Sequence, residues 1–275
     1  MSPIRTRKLR RSGSALRWLP FAAIVAAFIA ASCGGQAPGP PEEEELPTED
    51  VVSPGTSPAP PVPVSAPPGA LSGRLSFAGA PPGPQRVEVT KDQQVCGAHP
   101  IVREDLLVGA DGGLRNVVVS LVGVPATGAA GLPATELRQK GCVFVPHVVL
   151  MPAGEVLAIY NDDGILHNIH TFSTLNRPVN RAQPKFKKRI EIQFERPETI
   201  RVTCDAHPWM QSWLVVSDHP YVAVSDAGGA FRIENVPPGT YETRLWHETL
   251  GERTRQVQVR SGQTTELNVE FSRPS

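Results

Sequence analysis

Cys204-Asp205-Ala206-His207-Pro208-Trp209-Met210 places a thiol, an imidazole and a thioether within seven residues. A loop this short can offer three ligands to one ion. Two imidazoles and a thiolate in a trigonal array, with a long, weak axial thioether, are the ligands of copper that passes single electrons. The second imidazole must then come from elsewhere. His167-Asn168-Ile169-His170 offers it, 37 residues before Cys204. Alternation along a strand puts His167 and His170 on opposite faces, so one of the two points inward.

Outward from this loop the chain reads as β-structure. Residues 199–204 lead into it and 213–216 lead away. Residues 189–194 alternate as R-I-E-I-Q-F, the period of a half-buried strand. Upstream, residues 71–77, 116–122, 143–150 and 155–161 have strand character. The last two flank Met151-Pro152-Ala153-Gly154, a hairpin pattern. Downstream follow 230–233, 241–246, 255–259 and 264–271. No amphipathic helix is expected after residue 70. Short strands at this spacing, with 24 glycines and 29 prolines, predict an all-β chain of sandwiches or barrels.

Residues 142–217 resemble a cupredoxin, of the superfamily that includes plastocyanin, azurin and amicyanin. The Cys-x₂-His-x₂-Met loop is similar to that of amicyanin, and His167-Asn168 to the superfamily's upstream ligand motif. The approach from Phe194 to Cys204 is similar to its penultimate strand, although Pro197-Glu198 stands where a glycine is common. The resemblance implies a Greek-key β-sandwich holding one type 1 copper ion through His167, Cys204, His207 and Met210. Asn168 would hydrogen-bond near the thiolate and join the two ligand loops. Pro208, Trp209 and Ile169 would exclude water and tune the potential. His147, in a predicted strand, reads as a packing or surface residue.

Residues 219–275 read as a strand meander. Ser225-Asp226-Ala227-Gly228-Gly229 is a hairpin turn in which Gly228 or Gly229 takes the positive φ. Val236-Pro237-Pro238-Gly239-Thr240-Tyr241 is a second turn. With Phe231 and Ile233, these segments resemble the carboxypeptidase regulatory-like, transthyretin-type β-sandwich. Such modules are usually structural or bind carbohydrate or protein surfaces, and are not themselves peptidases. The expected fold is thus a cupredoxin-like Greek-key sandwich at 70–218 followed by a second small sandwich at 219–275. About 55 residues is short for a complete sandwich. Strands from 71–122 would complete it if the copper domain were an insertion. His247 and Glu248 read as solvated polar residues on an edge strand.

The N-terminus reads as an address. Residues 1–32 carry six basic side chains, no acid, and an apolar run from Trp18 to Ala31. That run is too short for a membrane span of ~20 residues and fits a secretory signal peptide. Ala30-Ala31-Ser32-Cys33-Gly34-Gly35 resembles a lipobox, which implies a lipidated Cys33. Residues 33–69 hold eleven prolines and six acids, with no aromatic residue. They predict a disordered, extended linker of roughly 100 Å. The residues after it carry as many bases as acids, which gives no reason to propose a nucleic-acid partner.

Four cysteines complete the picture. Cys96-Gly97-Ala98-His99 echoes Cys204-Asp205-Ala206-His207, so a closed Cys₂His₂ zinc site is an alternative. It would leave Met210 and the His167-Asn168 pair without a purpose. With Cys204 on copper and Cys33 on lipid, Cys96 and Cys142 are left to pair as a disulfide, as export permits. No nucleophile, zinc-protease or phosphate-loop motif is present, and no enzymatic activity is expected. The expected function is electron transfer to a transient redox partner. That partner would dock at a His207 edge beside Pro208 and Trp209. The expected location is the periplasm or cell surface, with the lipid in the outer membrane. The alternative function is a surface carbohydrate- or protein-binding module with a structural metal.

Overall fold

A computed structural model describes residues 66–124, 128–133 and 136–273, and over them the chain is nearly all β. The signal peptide, Cys33 and the linker as far as residue 65 lie outside the described residues. The elements begin with β1 (Gly69–Phe77), α1 (Gln93–Cys96), β2 (Val118–Val122), β3 (Glu136–Lys140), β4 (Val143–Val145) and β5 (Val148–Pro152). There follow β6 (Val156–Asn161), β7 (His167–Phe172), β8 (Asn180–Gln183), β9 (Arg189–Gln193), β10 (Glu198–Thr203) and β11 (Gln211–Ser217). The chain ends with β12 (Val222–Val224), β13 (Ala230–Val236), β14 (Gly239–His247), β15 (Gly251–Val259), β16 (Thr264–Glu266) and β17 (Val269–Phe271).

One sandwich is built from the sheets β5-β11-β10-β7-β8 and β4-β3-β6-β9. Its strands bury every second residue, as β9 does with Ile190 and Ile192 inward and Arg189, Glu191 and Gln193 outward. Leu137, Ile159 and Ile192 of one sheet share a core with Val149, Ile200 and Leu214 of the other. Cys204 and Met210 belong to the same core.

The second sandwich pairs β12-β2-β14-β15 with a sheet in which β13 and β16 flank β1 and β17 also joins β1. Leu71, Leu75, Leu121, Phe231, Leu245 and Phe271 form its interior. The sheets therefore do not divide the chain at 218/219. β1 runs antiparallel to β13 and parallel to β16 and β17, and β2 lies between β12 and β14. The physical reason is burial: the late strands alone leave both sheets without a central partner. The first sandwich is an insertion between β2 and β12. Val118, Val148, Val215 and Val222 pack along the seam, with Trp213 edge-on to Trp246 at 4.8 Å.

Two local expectations change. Residues 143–150 are two strands, split at Pro146 and assigned to opposite sheets. Met151-Pro152-Ala153-Gly154 is consequently not a hairpin. β5 pairs with β11 while β6 pairs with β3 and β9, so this turn crosses between sheets. In the 225–229 turn, Gly229 takes the positive φ, at 78°. A Cβ there would sit 2.1 Å from the Leu75 carbonyl oxygen, so only glycine fits.

Glu198 explains its own departure from the expected glycine. It opens β10, and residues 173–176 curl around its carboxylate. Ser173 Oγ, the Thr174, Leu175 and Asn176 backbone N–H groups, and Asn176 Nδ2 all donate to it at 2.5–3.1 Å. Burial pushes the carboxyl up, but hydrogen bonds from Ser173, Thr174, Asn176 and Leu175 outweigh this and lower it to about 2. Such a group stabilises the fold fully above its unfolded value of 4.5, and the contribution is lost as pH falls toward 2. Glu198→Gln should cost roughly 1–3 kcal/mol at neutral pH, less than the full shift because solvent reaches the group. Urea denaturation at neutral pH and again in strong acid checks this. The gap between wild type and variant should narrow in acid; a constant gap refutes it.

Candidate metal centre

The centre forms where the loop from β10 to β11 meets the start of β7. β10 pairs antiparallel with both β11 and β7, so Cys204 at its end faces His167 at the head of β7. The loop closes on itself: the Met210 N–H donates to the His207 carbonyl at 2.9 Å, and the Cys204 N–H to the Met210 carbonyl at 3.3 Å. Cys204, His167, His207 and Met210 are all at most 1% exposed.

His167 Nδ1 and His207 Nδ1 lie 3.0 Å apart, and Cys204 Sγ is 3.8 and 3.7 Å from them. The far nitrogen of each ring is engaged. His167 Nε2 meets Asp163 Oδ2 at 2.9 Å, and His207 Nε2 meets Asp92 Oδ2 at 2.9 Å. Carboxylates accept from those N–H groups, so each Nδ1 faces the sulfur. Burial pulls the His167 imidazole down, but Asp163 and the Cys204 sulfur outweigh it and raise it to about 9. Burial pushes the Cys204 thiol up, yet His167 and the Asn168 and His207 backbones hold it below its ordinary range. Burial, together with the His167 charge, pulls His207 down against the pull of Asp92. A metal ion would bind here by displacing the protons held on His167 and Cys204.

A cation ~2.0 Å from each nitrogen and ~2.3 Å from sulfur, at trigonal to tetrahedral angles, spaces nitrogens ~3.3–3.5 Å apart and sulfur ~3.5–3.7 Å from each. The two sulfur–nitrogen separations, 3.8 and 3.7 Å, are close to that triangle, and the 3.0 Å between nitrogens is shorter, so the rings must part slightly to admit an ion. Thiolate with imidazoles is a set for copper or zinc, and a neighbouring thioether favours copper. The residues present fit a copper ion.

The surrounding contacts lock the two loops. The Asn168 N–H donates to Cys204 Sγ at 3.5 Å. Its side-chain oxygen accepts from the Asp205 N–H at 2.5 Å, and its Nδ2 donates to Asp205 Oδ2 and Asn180 Oδ1. His170 points away from the centre and pairs with Asp205 at 2.9 Å. Ile169 is buried, and Trp209 lies 5.2 Å from the His207 ring and donates to the Cys142 carbonyl at 3.0 Å.

The Cys96–Cys142 disulfide is present, which removes the Cys₂His₂ zinc alternative because the Cys96 sulfur is not free to ligate alongside Cys204. Its position was not legible in advance. Cys142 lies in the turn from β3 to β4, where the Gly141 and Cys142 N–H groups donate to Asp163 at 2.5 and 2.9 Å. Cys96 ends α1, whose preceding residue Asp92 caps His207. One bridge therefore ties together the carboxylates behind both imidazoles. His207 does not present an open edge beside Pro208 and Trp209, because Asp92 covers it and leaves it fully buried.

Two more expectations are corrected. His147 is buried at 7% exposure, in a polar cluster rather than in apolar packing. His247 and Glu248 are not solvated. His247 is buried, and Glu248 accepts from His147, Gln211 and Trp213. These residues come from distant segments, so no local spacing announced them. A buried His-Glu pair at a strand end was the available signal.

Comparison with known proteins gives two likenesses. Residues 214–272 match the model of the carboxypeptidase regulatory-like domain. No curated protein matches the chain. Among solved structures, the purple cupredoxin from Nitrosopumilus maritimus is 21% identical over 30% of this chain and 100% of its own, with a TM-score of 0.27. The copper-containing nitrite reductase from Thermus scotoductus SA-01 is 22% identical over 31% of this chain and 22% of its own, with a TM-score of 0.27. A Cu(I) variant of amicyanin is 15% identical over 36% of this chain and 98% of its own, with a TM-score of 0.28. The chain is thus similar to carboxypeptidase regulatory-like domains over residues 214–272 and, over about a third of its length, to cupredoxin structures.

Proposed function

We propose that this chain holds one type 1 copper ion and passes single electrons outside the cytoplasm, tethered to the outer membrane by lipid on Cys33. The observation that carries the reading is the triangle of Cys204 Sγ, His167 Nδ1 and His207 Nδ1, closed from solvent. Copper would supply the one-electron couple. Asp163 and Asp92 hold the two rings by their far nitrogens, so the rings keep their orientation when the charge between them changes. The Asn168 N–H steadies the sulfur. Met210, buried on the same loop, would offer its thioether as a further, softer ligand. All four side chains are buried. A structural disulfide suits an oxidising compartment.

The electron's exit is at Asp92, half exposed and in contact with His207. A redox partner would dock transiently over that residue, through a small interface. Only three methionines occur in the chain, one of them Met1, which disfavours copper delivery by Met-rich exchange. The test is metal analysis with visible and EPR spectra of the full chain after copper loading. One copper per chain, intense thiolate-to-copper absorption and reversible reduction are expected. A colourless, copper-free protein with Cys204 intact refutes the reading.

A further inference from the structure

A second cluster lies beside the first centre and shares Met210 with it as a cavity wall. His147 sits between β4 and β5. Its Nε2 bonds to Glu248, which comes from the loop after β14 in the other sandwich. The same carboxylate accepts from Gln211 Nε2 at 2.6 Å and Trp213 Nε1 at 2.9 Å. Three N–H donors facing one carboxylate fix it as an anion and fix the His147 proton on Nε2. In the neutral ring Nδ1 then carries the lone pair. That atom is buried and has no hydrogen-bond partner among the described residues. The nearest charged group to it is Glu104, with Oε2 3.8 Å away.

His147 and Glu104 line a cavity of about 270 Å³ that Met210 and Gln211 also line. Glu88, Asp105, Arg86 and Arg103 also line it. Arg103 is engaged in a forked pair with Asp105 at 3.1 and 2.7 Å. With Glu248 behind the imidazole, four acids stand against two arginines, so the cavity favours a cation. His247 packs nearby, and burial lowers it to about 4, so it adds no positive charge at neutral pH.

We propose that this cavity is a second metal site, for a divalent ion of the zinc class, ligated by His147 Nδ1 and Glu104. An imidazole held by a carboxylate on its far nitrogen is how metal-bound histidines are oriented. Two ligands each ~2.1 Å from one ion stand roughly 3.0–3.8 Å apart at bond angles of about 90–130°. The His147–Glu104 separation falls in that range. Imidazole with carboxylate suits a borderline divalent ion, and the cavity leaves room for water to complete the coordination. The proposal does not depend on copper at the first centre.

The test is equilibrium dialysis of the full-length protein against zinc chloride, with metals counted by atomic emission. The His167→Ala/Cys204→Ala protein, with the first centre removed, should retain one zinc per chain. The copper-loaded wild type should retain copper plus one zinc. Glu104→Gln, at a partly exposed side chain with no hydrogen bond to the fold, should weaken zinc binding at least ~10-fold, and His147→Ala should abolish it. Absence of zinc from folded copper-loaded wild type overturns the proposal. So does equal retention in wild type and Glu104→Gln, which would mean that zinc sits elsewhere.

Discussion

Cys204→Ser should remove the visible absorption of the copper-loaded protein entirely and weaken copper retention by more than ~100-fold. Loss of a residue behind a metal ligand typically costs ~10–100-fold, and loss of the only soft anionic ligand costs more. The other three ligand side chains are uncharged when metal is bound, so the thiolate supplies the sole negative charge in contact with the ion. Serine is close in size and keeps the loop's backbone hydrogen bonds between Cys204, His207 and Met210. The fold should therefore survive, and circular dichroism would verify that. Asp163→Asn is the graded companion. It keeps the shape but loses the anion that orients His167, so affinity should fall ~10–100-fold while the colour remains. Competition with a copper chelator, read by visible spectroscopy, measures both. A Cys204→Ser protein that keeps the wild-type spectrum would show that the sulfur is not a ligand.

Cys96→Ala/Cys142→Ala should lower stability by ~4 kcal/mol, the loop-closure entropy of a bridge with a separation of 46 residues. For a chain of this size that corresponds to a fall in Tm of roughly 8–16 °C. A second effect should accompany it. The bridge holds α1 against the turn at Gly141-Cys142, and these two pieces carry Asp92 and the donors to Asp163. With the bridge gone, the cap over His207 can lift, and copper should dissociate faster. Urea denaturation of the metal-free protein reads the first effect, and stopped-flow transfer of copper to a chelator reads the second. Equal dissociation rates in wild type and variant would show that segment 92–96 does not guard the centre.

The sequence carried the parts of this protein that are local. Period-two alternation marks the strands whose inward residues are apolar, such as β9 and β10, and the all-β class follows from it. It does not mark β3, Glu-Leu-Arg-Gln-Lys, or β8, Asn-Arg-Ala-Gln. Each buries a glutamine inward, and Gln139 Nε2 donates to Gln183 Oε1 at 2.7 Å across the interior. Pairs of that kind cannot be read from either segment alone.

The Cys204–Met210 loop was legible because three donors fit within one turn, and the His167-Asn168 pair because its motif is distinct. What completes the centre was decided in three dimensions. Asp92 and the Cys96–Cys142 bridge act through space, across sequence separations whose contacts exist only once both sheets have closed, and Asp163, four residues before His167, is held by the distant Gly141 and Cys142 N–H groups. The same reason governs the domain plan. β1 and β2 read as strands, but nothing in them specifies partners more than a hundred residues away. Burial of their apolar faces specifies that, and burial is a property of the assembled sandwich. Glu248 shows the limit most clearly: a polar residue beside a strand end in sequence, it becomes the buried anion that orients His147 only when the two sandwiches meet.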